Sequence, residues 1–406
     1  MISWVSAAAL ATGLALAPPV LGSDVGFLYG RVKTVDGNTY EGQLRWGKEE
    51  AFWDDIFNAS KIKNDYIQFV DDHVRDRLRQ GDRHGWRFLF DFDDDGDNLN
   101  HVFAVRFGDL KRIRVLRRDE LVVQFRNGEE LKLKGGSNDV GARVTVLDPK
   151  LGLQEVAWNR IHEVEFRDTP ARLKQTIGEP LYGTVRTSRF EFTGHIQWDN
   201  DECLTIDKLD GDSEDGRVHI AFGDIAAIRK HRRGAMVTLK SGSELYVTGS
   251  NDVNSANRGV VVKIPDLGSV KIGWDDFEDV TFRHPAPNSG RSYAEYGAGR
   301  KLSGEVESRG GRYTGDIVYD LDEAWDFELL QGRNGDTEYL IPFREIVQIV
   351  PEGRYRATIK LRSGLAIELE DSQDVSRLND GLLVFTNGKK PAYVAWPDVQ
   401  GVSFVK

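Results

Sequence analysis

Short stretches of alternating apolar and polar residues run through most of the chain. Apolar residues occupy every second position in residues 357–361 and again in residues 237–239. A period of two is typical of an antiparallel strand with one buried face. Both stretches run into a turn with a central glycine, Gly364 and Gly242, which can adopt the positive φ of a hairpin. The pattern therefore predicts an all-β fold of short strands.

One series of residues occurs three times along the chain. Each copy begins around a glycine, Gly30, Gly183 or Gly304, and reaches a second glycine eleven or twelve residues later. An aromatic residue and then a glutamate follow that second glycine: Gly42, Trp46 and Glu50; Gly194, Trp198 and Glu202; Gly315, Tyr319 and Glu323. This first half of each copy closes on a Phe-x-acid-apolar segment, at residues 107–110, 222–225 and 343–346.

A second half follows in every copy. It contains the segment Ser-Asn-Asp-Val or Ser-Gln-Asp-Val, at residues 137–140, 250–253 and 372–375. It ends on a tryptophan eight residues before a phenylalanine: Trp158 and Phe166, Trp274 and Phe282, Trp396 and Phe404. All six closing segments predict a strand, one tight turn and a short final strand. We therefore expect a triplicated unit made of two similar halves.

Each half, about 50 to 60 residues of short strands, resembles the five-stranded barrel of SH3-like and Sm-like proteins, whose last two strands are joined by one 3₁₀ turn. Because a unit of this size is marginally stable alone, we expect the halves to pack in pairs. The resemblance implies an all-β fold of three tandem repeats, each a pair of small barrels, over residues 25–167, 179–283 and 297–406.

The first repeat carries an insertion at about residues 58–100. Its apolar residues have helical spacing from residue 62 to residue 78, and Ser60 could cap a helix there. We expect this helix to cover its own barrel or, as the alternative, to offer a surface to a partner. If the three repeats are independent domains, deletion of residues 58–100 should leave the other two folded.

The N-terminal 22 residues carry no charged side chain, and the apolar run at residues 5–16 is too short to cross a bilayer comfortably. Pro18 and Pro19 follow it, and small residues near Gly22 suit signal-peptidase cleavage. The sequence predicts a signal peptide at residues 1–22 and export to the periplasm or the extracellular space. An uncleaved N-terminal anchor is the alternative, and we expect no transmembrane segment in the mature chain.

Charge and cysteine content narrow the function. The 54 Lys and Arg residues against 65 Asp and Glu residues give a net charge of −11, which argues against nucleic acid as a partner. The single cysteine, Cys203, excludes an intrachain disulfide. Cys203 takes the place of an alanine in the other copies, so we expect a small buried thiol.

Residues that recur in all three copies are most simply required by the fold. We expect the closing tryptophans to be core anchors, with an aromatic ligand groove as the alternative. The aspartate of Ser-Asn-Asp-Val is expected to accept backbone N–H bonds in a turn. Glu50, Glu202 and Glu323, each with an acid five residues later, could mimic the carboxylate pair of a hydrolase. A solvated acidic loop is the interpretation that we favour.

The insertion contains the only candidate metal ligands: Asp91, Asp93, Asp95 and Asp97. Oxygen donors at alternate positions with a glycine at the sixth resemble the start of a calcium loop. The twelfth position is Val102, where an EF-hand has a glutamate, so an acidic hairpin tip is the alternative.

The sequence as a whole predicts an exported, non-enzymatic repeat protein that binds a protein or a cell-envelope component. The alternative is a polymer-acting hydrolase that uses carboxylates of the first repeat, such as Asp91 and Asp93.

Overall fold

A computed structural model describes residues 24–80, 102–285, 290–386 and 390–405. These residues form 30 β-strands and one α-helix, which confirms the all-β prediction. Within these four ranges, no helix has the length and apolar character needed to cross a membrane. The predicted signal peptide lies outside the described residues.

The first segment, residues 25–167, contains the helix and ten of the strands. They are β1 (Tyr29–Thr34), β2 (Thr39–Trp46), β3 (Ile56–Lys61), α1 (Asp72–Gln80), β4 (Val102–Arg106), β5 (Leu110–Val115), β6 (Glu120–Phe125), β7 (Glu130–Lys134), β8 (Val144–Asp148), β9 (Gly152–Val156) and β10 (Ile161–Phe166). The strands form one sheet in the order β4-β3-β7-β6-β5-β10-β1-β2-β8-β9.

The second segment, residues 179–283, also has ten strands. They are β11 (Tyr182–Thr187), β12 (Glu191–Gln197), β13 (Lys208–Ser213), β14 (Gly216–Ala221), β15 (Ile225–His231), β16 (Gly234–Leu239), β17 (Glu244–Val247), β18 (Val260–Ile264), β19 (Gly268–Ile272) and β20 (Phe277–Phe282). The hairpin β13–β14 is a separate two-stranded sheet.

The third segment, residues 297–405, has the remaining ten. They are β21 (Ser303–Ser308), β22 (Gly311–Val318), β23 (Leu329–Asn334), β24 (Thr337–Pro342), β25 (Ile346–Pro351), β26 (Arg356–Leu361), β27 (Ala366–Glu370), β28 (Leu382–Phe385), β29 (Ala392–Val394) and β30 (Val399–Phe404). Antiparallel pairing of β19 with β24 joins the second and third segments into one 18-stranded sheet.

The glycines of the sequence pattern lie opposite each other in the strand register. Gly30 faces Gly42 across β1 and β2 and faces Phe166 across β1 and β10. The other two segments have the same register: Gly183 with Gly194 and Phe282, Gly304 with Gly315 and Phe404. A Cβ added at Gly42 would lie 1.9 Å from the carbonyl oxygen of Leu147. These positions therefore require glycine for a close backbone approach.

The strand pairings of the described residues close no barrel. In the first segment, β10 pairs with both β1 and β5, so the last strand of the second half lies between the two strands that would close the first half. The strands β20 and β30 take the same position in the other segments. The two halves of a segment therefore share one sheet, and the separate barrels expected for them are not formed.

Other expectations for the segment ends hold. Of the six closing segments, five contain a 3₁₀ turn between their two strands, at Phe107–Asp109, Trp158–Arg160, Phe222–Asp224, Phe343–Glu345 and Trp396–Asp398. The tryptophans Trp158, Trp274 and Trp396 are buried in the hydrophobic core, which agrees with their expected role as anchors.

The predicted helix is displaced toward the C-terminus. Ser60 lies in β3 rather than at a cap, because β3 extends to Lys61. Asn64 then accepts the backbone N–H of Tyr66 in a turn, and α1 begins at Asp72. Where its side chains are described, this region packs on the third segment rather than on its own: Val70, before the helix, and Val74, in it, contact residues of β22 and β28 and the turn after β22.

Candidate functional site

The loop after the second strand of each segment is built around one carboxylate. Asp55 Oδ2 accepts the backbone N–H groups of Ala51 and Phe52, at 2.6 and 2.9 Å. Asp207 and Glu328 hold the corresponding loops in the same way, through Cys203 and Leu204 and through Ala324 and Trp325. A carboxylate that accepts two backbone N–H groups fixes the conformation of its loop, so this acid has a structural role.

The Ser-Asn-Asp-Val aspartate also binds backbone, as the sequence predicts. Asp139 Oδ2 accepts the N–H of Asn58 at 2.7 Å, and Asp252 and Asp374 accept the N–H of Asp210 and Gln331, each at 2.6 Å. The backbone oxygens of the same three aspartates accept hydrogen bonds from the aromatic residues that recur in the three copies, Trp46, Trp198 and Tyr319. The motif therefore ties the second half of each segment to the first.

The recurrent glutamates are not solvated, so the favoured interpretation of these residues was wrong. Glu50 and Glu323 are buried and Glu202 is partly buried. Burial first, and then the charge of Asp252, raises the pKa of Glu202 to about 9. For Glu50 and Glu323 burial and the charges of Asp139 and Asp374 raise the pKa well above its ordinary range. In each segment, therefore, a glutamate and an aspartate lie so close together that ionisation of both side chains is unfavourable.

Basic residues from other segments neutralise the loop acids. Lys263 of β18 bonds Asp55, and Arg45 of β2 forms a bidentate pair with Asp207, with both contacts at 2.8 Å. Lys61 of β3 contacts both Asp322 and Glu328 at 2.9 Å. Because these groups are nearly removed from solvent, the pairs fix the positions of the segments relative to one another.

A cleft lies where the first and second segments meet. It encloses about 570 Å³, part of which is open to solvent. Its lining includes two acids, Glu49 and Glu50, and two bases, Lys263 and Lys271. The remaining lining residues are Ile56, Asn58, Asn138, Gln197, Asn200, Val261, Ser269 and Leu340.

The two acids of the lining meet a third acid, the buried Asp139. Glu49, Glu50 and Asp139 place carboxylate oxygens within 4.8 Å of one another. The amide of Asn138 holds Glu49, with its Nδ2 at 3.2 and 3.1 Å from the two carboxylate oxygens. Burial raises the pKa of all three acids, most strongly for the two that are fully enclosed. This mixed-charge cleft is the candidate functional site of the described residues.

The other sequence-predicted site residues have separate outcomes. Asp91, Asp93, Asp95 and Asp97 lie outside the described residues, so calcium binding and hydrolysis there stay predictions. Cys203 is a free, buried thiol in a small apolar cluster with Phe27 and Phe52, as expected.

Sequence reasoning missed the intersegment cations. Lys61, Lys263 and Arg45 occur on strands with no repeated pattern at their positions, and their partners lie 162 or more residues away. Glu49 was not identified as a candidate site residue either, although an acid precedes the recurrent glutamate in all three copies.

Comparisons with protein-family models, with curated proteins and with solved structures found no match for this chain. The functional argument therefore depends on the contacts described above.

Proposed function

We propose that the chain is an exported, non-enzymatic protein of three tandem repeats that binds a protein partner through strand β9. The three segments correspond to the repeats. The strand order that the first and third segments share, and the glycine register of all three, support this assignment. The observation that carries the binding function is the difference between β9 and its counterparts in the other two segments.

One counterpart strand is paired within the chain, and the other is a shorter edge. In the second segment β19 pairs with β24 of the third segment along Ser269–Ile272. In the third segment β29 pairs, of the described strands, with β28 alone, but it has only three residues, and its Tyr393 packs against a cluster that contains Val70 and Val74. Among the described residues, β9 pairs with β8 alone and ends its sheet.

The β8–β9 hairpin also exposes apolar side chains. Leu151 is 59% exposed and Leu153 is 56% exposed, at the turn and on the strand. An edge strand with free N–H and C=O groups can accept another strand, and exposed leucines beside it would contribute apolar contact. A protein segment in extended conformation fits this surface, and it would pair with β9 as β24 pairs with β19.

A binding role also suits the acids at the candidate site. Asp139 and Asp55 are committed to backbone N–H groups, and corresponding acids recur in all three segments. Recurrence of that kind is expected of a fold requirement rather than of a catalytic pair. The hydrolase hypothesis concerns Asp91 and Asp93 and stays open.

The test is a double charge substitution on the exposed edge. Leu151→Lys with Leu153→Lys places charges on an edge strand, which disfavours strand addition without removing a buried contact. The matched control is Leu365→Lys with Leu378→Lys, at third-segment leucines that are 50% and 48% exposed. Each variant is used to capture proteins from a cell-envelope extract, and captured proteins are quantified by mass spectrometry.

We expect a protein that the unmodified chain and the control variant both capture and that the edge variant loses. Equal capture by the two variants would overturn the proposal for β9. Failure of the unmodified chain to enrich any protein would overturn the protein-binding function itself.

A further inference from the structure

We propose that Glu49, Glu50 and Asp139 bind a divalent metal ion of the calcium type in the cleft between the first and second segments. The site is distinct from the acidic sequence at residues 91–97 and does not depend on the β9 surface. Its evidence is the geometry of the three acids, an unpaired amide oxygen beside them, and the cations that occupy the counterpart acids elsewhere.

The oxygen positions suit a calcium ion. One carboxylate oxygen from each residue lies within 4.8 Å of the other two. Calcium is bound by oxygen at about 2.3 to 2.6 Å, so two oxygens on opposite sides of the ion are separated by about 4.6 to 5.2 Å. Magnesium usually keeps several waters and is bound by one or two carboxylates, so a set of three carboxylates suits calcium better. A set of hard oxygen ligands also argues against zinc or copper.

A buried amide oxygen provides an independent indication of a ligand. Asn58 is 3% exposed, lines the same cleft, and its Oδ1 has no hydrogen-bond partner among the described residues. Its backbone N–H donates to Asp139 Oδ2, which places the residue directly beside the acids. Leaving a buried carbonyl oxygen without a donor is costly, and a cation in the cleft would remove that cost.

Two acids of the cluster contact each other. A side-chain hydrogen bond joins Glu50 and Asp139, and a metal ion would displace the proton that this bond requires. Asn138 contacts Glu49 with a neutral amide, which orients the carboxylate without compensating its charge.

The counterpart acids of the other segments contact protein cations. In the second segment, Asp201 precedes Glu202 and pairs with Arg258 at 2.6 Å. In the third, Asp322 precedes Glu323 and pairs with Lys61 at 2.9 Å. None of the three first-segment acids forms an ion pair with another described residue, so a bound metal ion would take the place that Arg258 and Lys61 occupy beside the counterpart acids.

The neighbouring cations are engaged by other acids. Lys263, which lines the same cleft, is bonded to Asp55, and Arg258 is paired with Asp201, which lies beside Glu49. Neither cation therefore takes the position of the proposed ion.

Terbium luminescence provides a direct assay, because Tb³⁺ substitutes for calcium and is sensitised by a nearby indole. The indole N–H of Trp46 donates to the backbone oxygen of Asp139 at 3.0 Å, so a suitable donor is adjacent to the site. The full chain is stripped with chelator, titrated with Tb³⁺, and then competed with Ca²⁺ and with Mg²⁺.

The test variant is Glu49→Gln, because Glu49 is only partly buried and holds no backbone group. Its matched control is Glu278→Gln, which removes the same charge from an exposed position on β20. A third variant, Asp93→Asn with Asp95→Asn, separates this site from the acidic sequence of the insertion. Circular dichroism checks that each variant is folded.

We expect sensitised emission that Ca²⁺ displaces more effectively than Mg²⁺. Glu49→Gln should weaken Ca²⁺ binding about tenfold or more, the size of effect typical even of a group that supports a ligand. Glu278→Gln and the Asp93, Asp95 variant should bind as the unmodified chain does. Three results would overturn the proposal: no Ca²⁺-displaceable emission, unchanged binding in Glu49→Gln, or binding lost only in the Asp93, Asp95 variant.

Discussion

Replacement of Lys61 by methionine tests whether buried ion pairs hold the first and third segments together. Lys61 is 8% exposed at the end of β3, and its ammonium group lies 2.9 Å from both Asp322 and Glu328 of the third segment. Methionine keeps most of the apolar stem and removes the charge. Two buried acids of the third segment then lose their cation.

The expected cost follows from burial. Asp322 and Glu328 are 4% and 6% exposed, so solvent cannot replace the lost ammonium group. Removing one partner of a buried ion pair typically costs about 3 to 5 kcal/mol, because an uncompensated charge stays in the interior. We expect Lys61→Met to lower the free energy of unfolding by an amount in that range.

Urea unfolding followed by tryptophan fluorescence measures the effect. The matched control is Lys63→Met, two residues away, where Lys63 and Asp65 form a pair at 2.7 Å whose side chains are 75% and 61% exposed. An exposed pair contributes at most about 1 kcal/mol, so the control should change little.

A second substitution separates charge from packing. Adding Glu328→Gln to Lys61→Met removes one uncompensated carboxylate, while the amide oxygen can still accept the backbone N–H groups of Ala324 and Trp325. The double variant should therefore be more stable than Lys61→Met. Equal losses for Lys61→Met and Lys63→Met, or no recovery in the double variant, would refute the assigned role of the buried charges.

Two further predictions follow from the burial of acids and from the position of α1. Because the pKa of Glu202 is raised to about 9 from 4.5, the folded protein keeps a proton that the unfolded chain releases, and stability should fall as the pH rises across that interval. Between about pH 6 and pH 9 the melting temperature should fall less for Glu202→Gln than for the unmodified chain or for the control Glu278→Gln. The same fall of melting temperature with pH in all three proteins would contradict this. Deletion of residues 58–100 removes the contacts that Lys61, Val70 and Val74 of the first segment make with the third segment. Calorimetry should therefore show the third segment melting at a lower temperature. If the segments were independent domains, its transition would be unchanged.

Local patterns in the sequence were sufficient to predict the strands and several of their contacts. Alternating residues identified strands such as β26, and the glycine positions matched the close approach of Gly42 to Leu147. The Ser-Asn-Asp-Val aspartate binds backbone as expected, because a turn with an aspartate has a short-range requirement for an acceptor.

The sheet connections could not be predicted in the same way. A barrel closure is favoured by the strand pattern of one half, but β10 takes the place beside β1 that β5 would need. Which of two similar closing strands pairs with β1 depends on contacts between the halves. The alternating pattern of apolar and polar residues within one half does not indicate those contacts.

The burial of the recurrent glutamates was not predicted, because the sequence around an acid does not show whether its side chain is solvated or buried. Glu50 was expected in a solvated loop, yet it is buried. A β-bridge joins it to Trp46, and Trp46 donates a hydrogen bond to Asp139 of the second half. The partner of the acid before each recurrent glutamate also differs. Arg258 of the same segment pairs with Asp201 and Lys61 of the first segment pairs with Asp322, whereas the neutral Asn138 contacts Glu49. The repeated acids are therefore part of the fold, and the difference in their partners is what makes the first-segment cleft a candidate for binding.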